Sequence, residues 1–144
     1  MREARRVLRP RGQLIFNVWE SLSRNPVPRI THETIARFFD GEAPTFMQTP
    51  FGYHEVDSIV TLLDGAGFES VDVEQVPTVV ERPSARSLAI GLVEGNPGIV
   101  EIRERANARP DEIVEAVAEA IREELGEDPV RCPLEAIAFS ARRS

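Results

Sequence analysis

Trp19 and Glu20, which close an apolar run, are the first candidates for chemistry in this sequence. The run Leu14–Trp19 is almost continuously apolar, which is typical of a strand covered on both faces in a parallel sheet. Open α/β sheets bind ligands outside the carboxyl ends of their strands, where these residues are expected to lie. Trp19 could stack on a substrate and Glu20 could act as a general base. The alternatives are a tryptophan that caps the sheet edge and a solvated loop acid.

The irregular segment at residues 40–54, which glycines and prolines interrupt, contains the second group of candidates. Its apolar side chains are candidates for contact with a substrate: Phe46, Met47, Phe51 and Tyr53. The alternative is that they fasten the loop to the core. His54 could act as a catalytic base or cap the helix that follows it.

The composition of the chain argues against several kinds of binding partner and indicates a cellular location. The net charge of −7 argues against nonspecific nucleic-acid binding, which needs a basic surface. No apolar run approaches the roughly 18 residues of a membrane-spanning helix, and the arginine-rich start does not resemble a signal peptide. The single Cys132 excludes an internal disulfide, and the two distant histidines argue against a metal site. We therefore predict a cytoplasmic protein without nucleic-acid or membrane partners.

In the first third of the chain, the pattern predicts a helix, a turn, a strand and a second helix. The apolar spacing of residues 2–8 indicates the helix, and Pro10 and Gly12 indicate the turn before the strand. Residues 20–28 are predicted to form a polar loop. Thr31 is then predicted to be the N-cap of a short helix that ends at Phe39.

Further along, the pattern predicts a helix at residues 55–66 that buries Ile59, Leu62 and Leu63. The segment Gly65–Gly67 is predicted to be its C-cap, with Phe68 packed behind it. Within residues 70–74, Val71 and Val73 alternate with the acids Asp72 and Glu74, which predicts a strand with one solvated face.

Three helices are predicted within residues 84–126, the last of them beginning at Pro110 and ending at Gly126. The buried stripe of that last helix is predicted to consist of Ile113, Val114, Val117, Ile121 and Leu125.

Four pieces of the sequence, in this order, resemble class I S-adenosylmethionine-dependent methyltransferases of the small-molecule, type 11-like group. Arg6–Gly12 resembles the Arg-Val-Leu-(Lys/Arg)-Pro-Gly-Gly end of the helix before that family's fifth strand, although Arg11 replaces a usual glycine. Ile59–Phe68 resembles the next helix, with its Leu-Leu-x-x-Ala-Gly-Phe end. Residues 70–74 and 136–143 resemble the sixth and seventh strands.

The resemblance implies an α/β fold, the C-terminal part of a Rossmann-like methyltransferase sheet. Its strand order would be 5-7-6, with the seventh strand antiparallel and a helical insertion between the last two strands. We expect a single partial domain made of the following segments: helix, turn and fifth strand at 1–19, lid loop and short helix at 20–54, helix and sixth strand at 55–76, insertion at 84–126 and seventh strand at 134–143.

The resemblance also implies a function, the substrate-side half of a small-molecule methyltransferase. In that family the segment after the fifth strand commonly forms a lid over an apolar substrate, and the insertion roofs the pocket. The family's Gly-x-Gly-x-Gly cofactor loop has no counterpart in this sequence. We therefore expect that this chain alone does not bind S-adenosylmethionine and is inactive. The alternative is a noncatalytic dimerisation or partner-binding module derived from such an enzyme.

With only strands 5-7-6 present, residues 14–18 would form an exposed, apolar and unpaired sheet edge, which is a pairing hazard. We predict that this edge forms a homodimer or pairs with a separate chain that carries the N-terminal half; otherwise the chain would be only marginally stable. Met1 falls within what is ordinarily a helix of the family, which suggests an internal start, a truncated gene or a fragment.

Overall fold

The computed structural model of the chain describes residues 1–127 and 129–143. Short 3₁₀ helices lie at Leu22–Arg24 and Thr49–Phe51. The longer elements, in chain order, are α1 (Arg2–Val7), β1 (Gln13–Trp19), α2 (Pro26–Ala36), α3 (Val56–Gly65), β2 (Phe68–Arg82), α4 (Ala85–Glu94), α5 (Gly98–Arg105), α6 (Pro110–Leu125) and β3 (Val130–Arg143).

The three strands form one sheet in the order β1-β3-β2, so the last strand in the chain lies in the middle. It runs antiparallel to both neighbours, and Phe139 lies opposite Phe16 on one side and Val73 on the other. The chain is therefore an α/β protein with a three-stranded antiparallel sheet. The expected order of strands, with the reversed strand in the centre, matches this arrangement.

Apolar side chains pack in two clusters, which lie on opposite faces of β3. The helical cluster joins α2, α4, α5 and α6 to the first residues of β3; its buried members are Val27, Ile30, Ile35, Ala85, Ala89, Val93, Ile102, Ile113, Val114, Val117, Ala118, Ile121, Val130 and Cys132. The sheet cluster joins α3 to the rest of β3 and has as buried members Ile59, Leu63, Phe68, Ile137, Phe139 and Ala141. Successive side chains of a strand point to opposite faces, so even-numbered Cys132 and odd-numbered Ile137 face opposite ways.

β1 is covered on one face only, so the prediction of cover on both faces is wrong. Leu14, Phe16 and Val18 are partly buried against the sheet cluster, and the Phe16 ring stacks on Phe139 at 5.1 Å. On the other face Ile15 is 69% exposed, because no described helix packs there. The structure also places β1 at the edge of the sheet, as expected.

The turn before β1 has a non-glycine residue in the left-handed conformation. Arg11 has a φ of 62°, so this residue accepts the left-handed conformation that glycine adopts more readily. Its N–H donates to the Arg143 carbonyl at 3.0 Å, and the Gly12 carbonyl accepts from the Arg143 N–H at 2.8 Å. These bonds hold the turn against the end of β3.

The start of α2 corrects two predictions. The helix begins at Pro26, so the predicted polar loop at 20–28 ends earlier. Thr31 lies inside the helix, fully buried, and its hydroxyl donates to the Val27 carbonyl at 2.8 Å. It is therefore not an N-cap. Proline is favoured at the first helical position, where its missing N–H costs nothing, and this explains the earlier start.

α3 buries Ile59 and Leu63 as predicted, but Leu62 is 51% exposed and that prediction is wrong. The sheet cluster covers only one side of this helix, and Leu62 lies about 100° around the axis from Leu63. The helix ends before Gly67, which has a φ of +84°, and Phe68 is buried behind it. The predicted C-cap is therefore confirmed.

β2 has 15 residues and is much longer than the predicted strand. Val73 is exposed together with its acidic neighbours, so the prediction of a single solvated face is wrong. β2 is the second edge strand, and a register shift between Glu69 and Asp72 interrupts its pairing with β3. The sheet cluster reaches only as far as Val71.

The segment between β2 and β3 contains three helices, as predicted. Ser84 caps α4 by accepting a hydrogen bond from the Ser87 N–H at 3.1 Å. In the stripe of α6, Leu125 is partly buried and the four other predicted residues are buried. β3 begins at Val130, four residues before the predicted strand. The division of the chain into these segments as parts of one partial domain stays a prediction.

Candidate functional site at the carboxyl end of β1

Trp19 lies at the last position of β1 and remains 37% exposed. Its ring stacks on Phe51 from the short 3₁₀ helix, with ring centroids 5.8 Å apart and planes inclined by 29°. Phe51 is itself buried, so it fixes one side of the indole. The two rings form an aromatic pair in which the indole of Trp19 remains partly exposed to solvent. This exposed aromatic surface is suited to bind a flat apolar molecule.

Glu20 follows this pair, and its side chain is largely withdrawn from solvent. One of its carboxylate oxygens accepts a hydrogen bond from the Ser21 hydroxyl at 3.1 Å and lies 3.9 Å from Arg24 Nε. The arginine is mainly engaged elsewhere, because its Nε and Nη2 donate to both carboxylate oxygens of Glu135, at 2.9 and 3.2 Å. The pKa of Arg24 is raised by that hydrogen-bonded contact and by the charge of Glu135. Glu20 thus keeps acceptor capacity at the carboxyl end of β1.

Asn25 connects the end of β1 to β3 and is fully buried. Its Nδ2 lies within hydrogen-bond distance of the carbonyl oxygens of Glu20, Ser21 and Glu135, at 3.1, 3.0 and 3.2 Å. Its Oδ1 accepts from the Glu135 N–H at 2.9 Å. A buried amide that satisfies this many backbone groups fixes the path of the chain, and here it fixes the position of Glu20.

His54 lies near this site but is tied to its own loop. Its Nδ1–H donates to the Phe51 carbonyl at 2.9 Å, and its Nε2 lies 3.5 Å from the Glu55 carboxylate. Glu55, rather than His54, occupies the N-cap of α3, so the capping alternative is wrong. Tyr53, one residue before, is exposed.

Phe46 and Met47 lie in a different place, against α2 and α5. With Pro44 they line a cavity of only about 10 Å³, whose other walls are His32, Ile35, Asn96, Gly98 and Ile102. Met47 is buried, and the ring of Phe46 lies against Gly98. The lining of this small cavity includes neither Trp19 nor Glu20, so the predicted substrate residues fall into two separate groups.

At this end of β1, Trp19 and Phe51 could hold a flat apolar molecule, and Glu20, the next residue along the chain, could accept a hydrogen bond or proton from a polar group. Three neighbours position Glu20. Its carbonyl oxygen accepts from Asn25 and its N–H donates to the Glu135 carbonyl, while Arg24 Nε lies 3.9 Å from its carboxylate. The sequence alone did not point to these three residues. The Asn-Pro pair at 25–26 was the available signal for Asn25, because asparagine before proline is typical of a helix start. Glu135 and Arg24 are 111 positions apart, so nothing local signals their contact.

The arrangement does not provide a nucleotide loop. Gly65 and Gly67 end α3 and lead into β2, whereas a phosphate-binding loop leads from a strand into a helix. The described residues around these glycines therefore do not fit S-adenosylmethionine. Within residues 1–127 and 129–143, no three histidine, cysteine, aspartate or glutamate side chains are grouped so that they could hold a metal ion.

No protein-family model matches the chain, and no curated protein matches it. Among the helices of the described residues, none has both the length and the apolar character needed to cross a membrane.

Proposed function

We propose that this chain is the substrate-side part of an S-adenosylmethionine-dependent small-molecule methyltransferase that acts in the cytoplasm. The observation that carries the proposal is the sheet order β1-β3-β2 with a reversed central strand. The helix and strand pieces that resemble that family occur in the matching chain order, and α3 ends at the Ala-Gly-Phe segment of the resemblance.

In this proposal the aromatic pair of Trp19 and Phe51 holds an apolar substrate and Glu20 accepts a hydrogen bond from its polar group. The protein's part in such a transfer is to position and desolvate the reactants. Phe46 and Met47 support the lid loop from the side of α5, while Tyr53 is exposed and His54 is half-buried. S-adenosylmethionine would be held by residues other than those of this chain.

Emission of Trp19, the single tryptophan, tests the proposed substrate site directly. The purified chain is titrated with a series of hydroxylated aromatic and fatty-acyl compounds. We expect saturable changes in emission with at least one compound, lost in Phe51→Ala and retained in the control Phe46→Leu, which alters the other side of the loop. If no compound changes the emission, the substrate-side assignment is wrong and a noncatalytic module is the better hypothesis.

A calorimetric titration of S-adenosylmethionine into the same sample tests the cofactor half of the proposal. We expect no saturable heat. Saturable binding near one molecule per chain would contradict the inference that the cofactor site needs residues outside this chain.

A further inference from the structure

The sheet has two free edges, and only one of them is protected against pairing. β2 carries Pro77, a register shift between Glu69 and Asp72, and several charged side chains. Proline, bulges and charges are the usual devices that keep an edge strand from pairing with another chain. β1 has none of them: its seven residues, Gln13–Trp19, include no charge and no proline, and they pair with β3 without a shift.

The backbone groups of β1 are aligned for a further strand. The Glu20 N–H donates to the Glu135 carbonyl, and the Gly12 carbonyl accepts from the Arg143 N–H, so even-numbered residues bond to β3. Because hydrogen-bonded positions alternate in an antiparallel pair, Ile15 and Asn17 direct their N–H and C=O groups to the free edge.

Apolar side chains flank these free groups on both faces. Leu14, Phe16 and Val18 are only partly buried on the face of the sheet cluster. On the opposite face Ile15 is 69% exposed. A strand added at this edge would remove apolar surface from water on both sides, which is favourable at roughly 25 cal/mol per Å².

Charge is distributed in a way that favours a second copy as the added strand. Residues 1–11, at the amino end of β1, contain five arginines and one glutamate. Residues 84–127 contain ten acidic residues and five arginines. α6 of that segment packs against α2, which follows the carboxyl end of β1. A two-fold axis through β1 would set the basic end of each copy beside the acidic end of the other.

We infer that β1 pairs antiparallel with β1 of a second copy and forms a continuous six-stranded sheet. The outward N–H and C=O groups belong to odd-numbered residues, so odd positions must lie opposite odd positions. Centring the two-fold axis at Phe16 satisfies this rule and uses all seven residues of each strand. Ile15 then lies opposite Asn17 of the second copy, and the two Phe16 side chains are neighbours. The pairing does not rest on the proposed function, and it occupies the same edge of β1 that a separate N-terminal half would use.

Sedimentation equilibrium over a range of protein concentrations tests the dimer. We expect Ile15→Lys to raise the dissociation constant about tenfold or more, because it places a charge on the pairing strand. The matched control is Val79→Lys, since Val79 is 51% exposed on the other edge strand. The control is expected to leave dissociation unchanged, while added salt weakens the wild-type dimer. A monomer at every concentration, or a dimer that only Val79→Lys weakens, would overturn the inference.

Cross-linking tests the register without depending on the stability of the lysine variant. In the double variant Ile15→Cys/Asn17→Cys, each new cysteine lies opposite the other kind on the second copy. Hydrogen-bonded antiparallel pairs have Cα atoms about 5.5 Å apart, which a disulfide can bridge. Mild oxidation should give a covalent dimer, whereas Val79→Cys should not, and the native Cys132 is buried. A chain that dimerises but forms no such cross-link would contradict the pairing, and circular dichroism of each variant confirms that it is folded.

Discussion

At the scale of single residues, the carboxyl end of β1 depends most directly on Asn25. This side chain is fully buried and bonds to the backbone of Glu20, Ser21 and Glu135. Asn25→Ala would leave several buried backbone groups without a partner, so we expect the free energy of unfolding to fall by about 2–3 kcal/mol. Urea unfolding measures this loss.

The control for Asn25 is Gln75, another amide side chain, which is exposed on β2 and lies outside the proposed dimer interface. Gln75→Ala should change the free energy of unfolding by no more than about 0.5 kcal/mol, as is usual for a surface substitution. Equal losses in the two variants would mean that the buried hydrogen bonds of Asn25 contribute nothing measurable.

At the scale of elements, α3 offers two adjacent leucines in opposite environments. Leu63 is fully buried in the sheet cluster and Leu62 is 51% exposed. Leu63→Ala should lower the free energy of unfolding by about 2–5 kcal/mol, through lost burial and the cavity left behind. Leu62→Ala should cost less than about 1 kcal/mol. Urea unfolding of both variants tests which side of α3 packs against the sheet cluster. A larger loss of stability for Leu62→Ala than for Leu63→Ala would show that the Leu62 side packs there instead.

Glu127, which follows the end of α6, holds the first turn of α4 by a hydrogen bond. Glu127 accepts a hydrogen bond from the Ala85 N–H at 2.7 Å and another from Arg122 at 2.6 Å. The first bond and then the second lower the pKa of Glu127 below its ordinary value of 4.5. A lowered pKa means that the contribution to stability is present above pH 4.5 and is lost as the pH falls through the folded-state value.

Glu127→Gln should therefore reduce stability at neutral pH and flatten its decline below pH 4.5. Thermal unfolding followed from pH 7 downward, by circular dichroism, measures both effects. Glu123→Gln is the control, because Glu123 is exposed on α6. If Glu127→Gln and Glu123→Gln give parallel pH profiles, the contact with the first turn of α4 does not stabilise the helix.

The elements that the sequence predicted well are those with strong local signals. Ser84 and Pro110 mark the starts of α4 and α6, and the stripe of α6 has a clear helical period. β2 and β3 extend beyond prediction because their added residues pair with each other, as Val80 does with Cys132, and such a pairing has no local signal. The same holds for the site: Trp19 and Glu20 follow from the strand end, while the contact of Arg24 with Glu135 depends on the fold.

At the scale of the whole molecule, β3 carries the sheet cluster on one face and the helical cluster on the other. Val130 and Cys132 belong to the helical cluster, and Ile137 and Phe139 belong to the sheet cluster. Because one continuous strand contributes to both clusters, neither can lose β3 without disturbing the other. We therefore expect a single cooperative unfolding transition.

Two probes report the clusters separately. Trp19 is the single tryptophan and lies on the sheet, whereas α4, α5 and α6 contribute much of the helical signal in circular dichroism. Both signals should give the same urea midpoint. Ile121→Ala, which opens a cavity in the helical cluster, should lower both midpoints together, by an amount that corresponds to about 2–5 kcal/mol. A fluorescence midpoint that stays in place while the dichroism midpoint falls would mean that the clusters unfold independently and that β3 does not couple them.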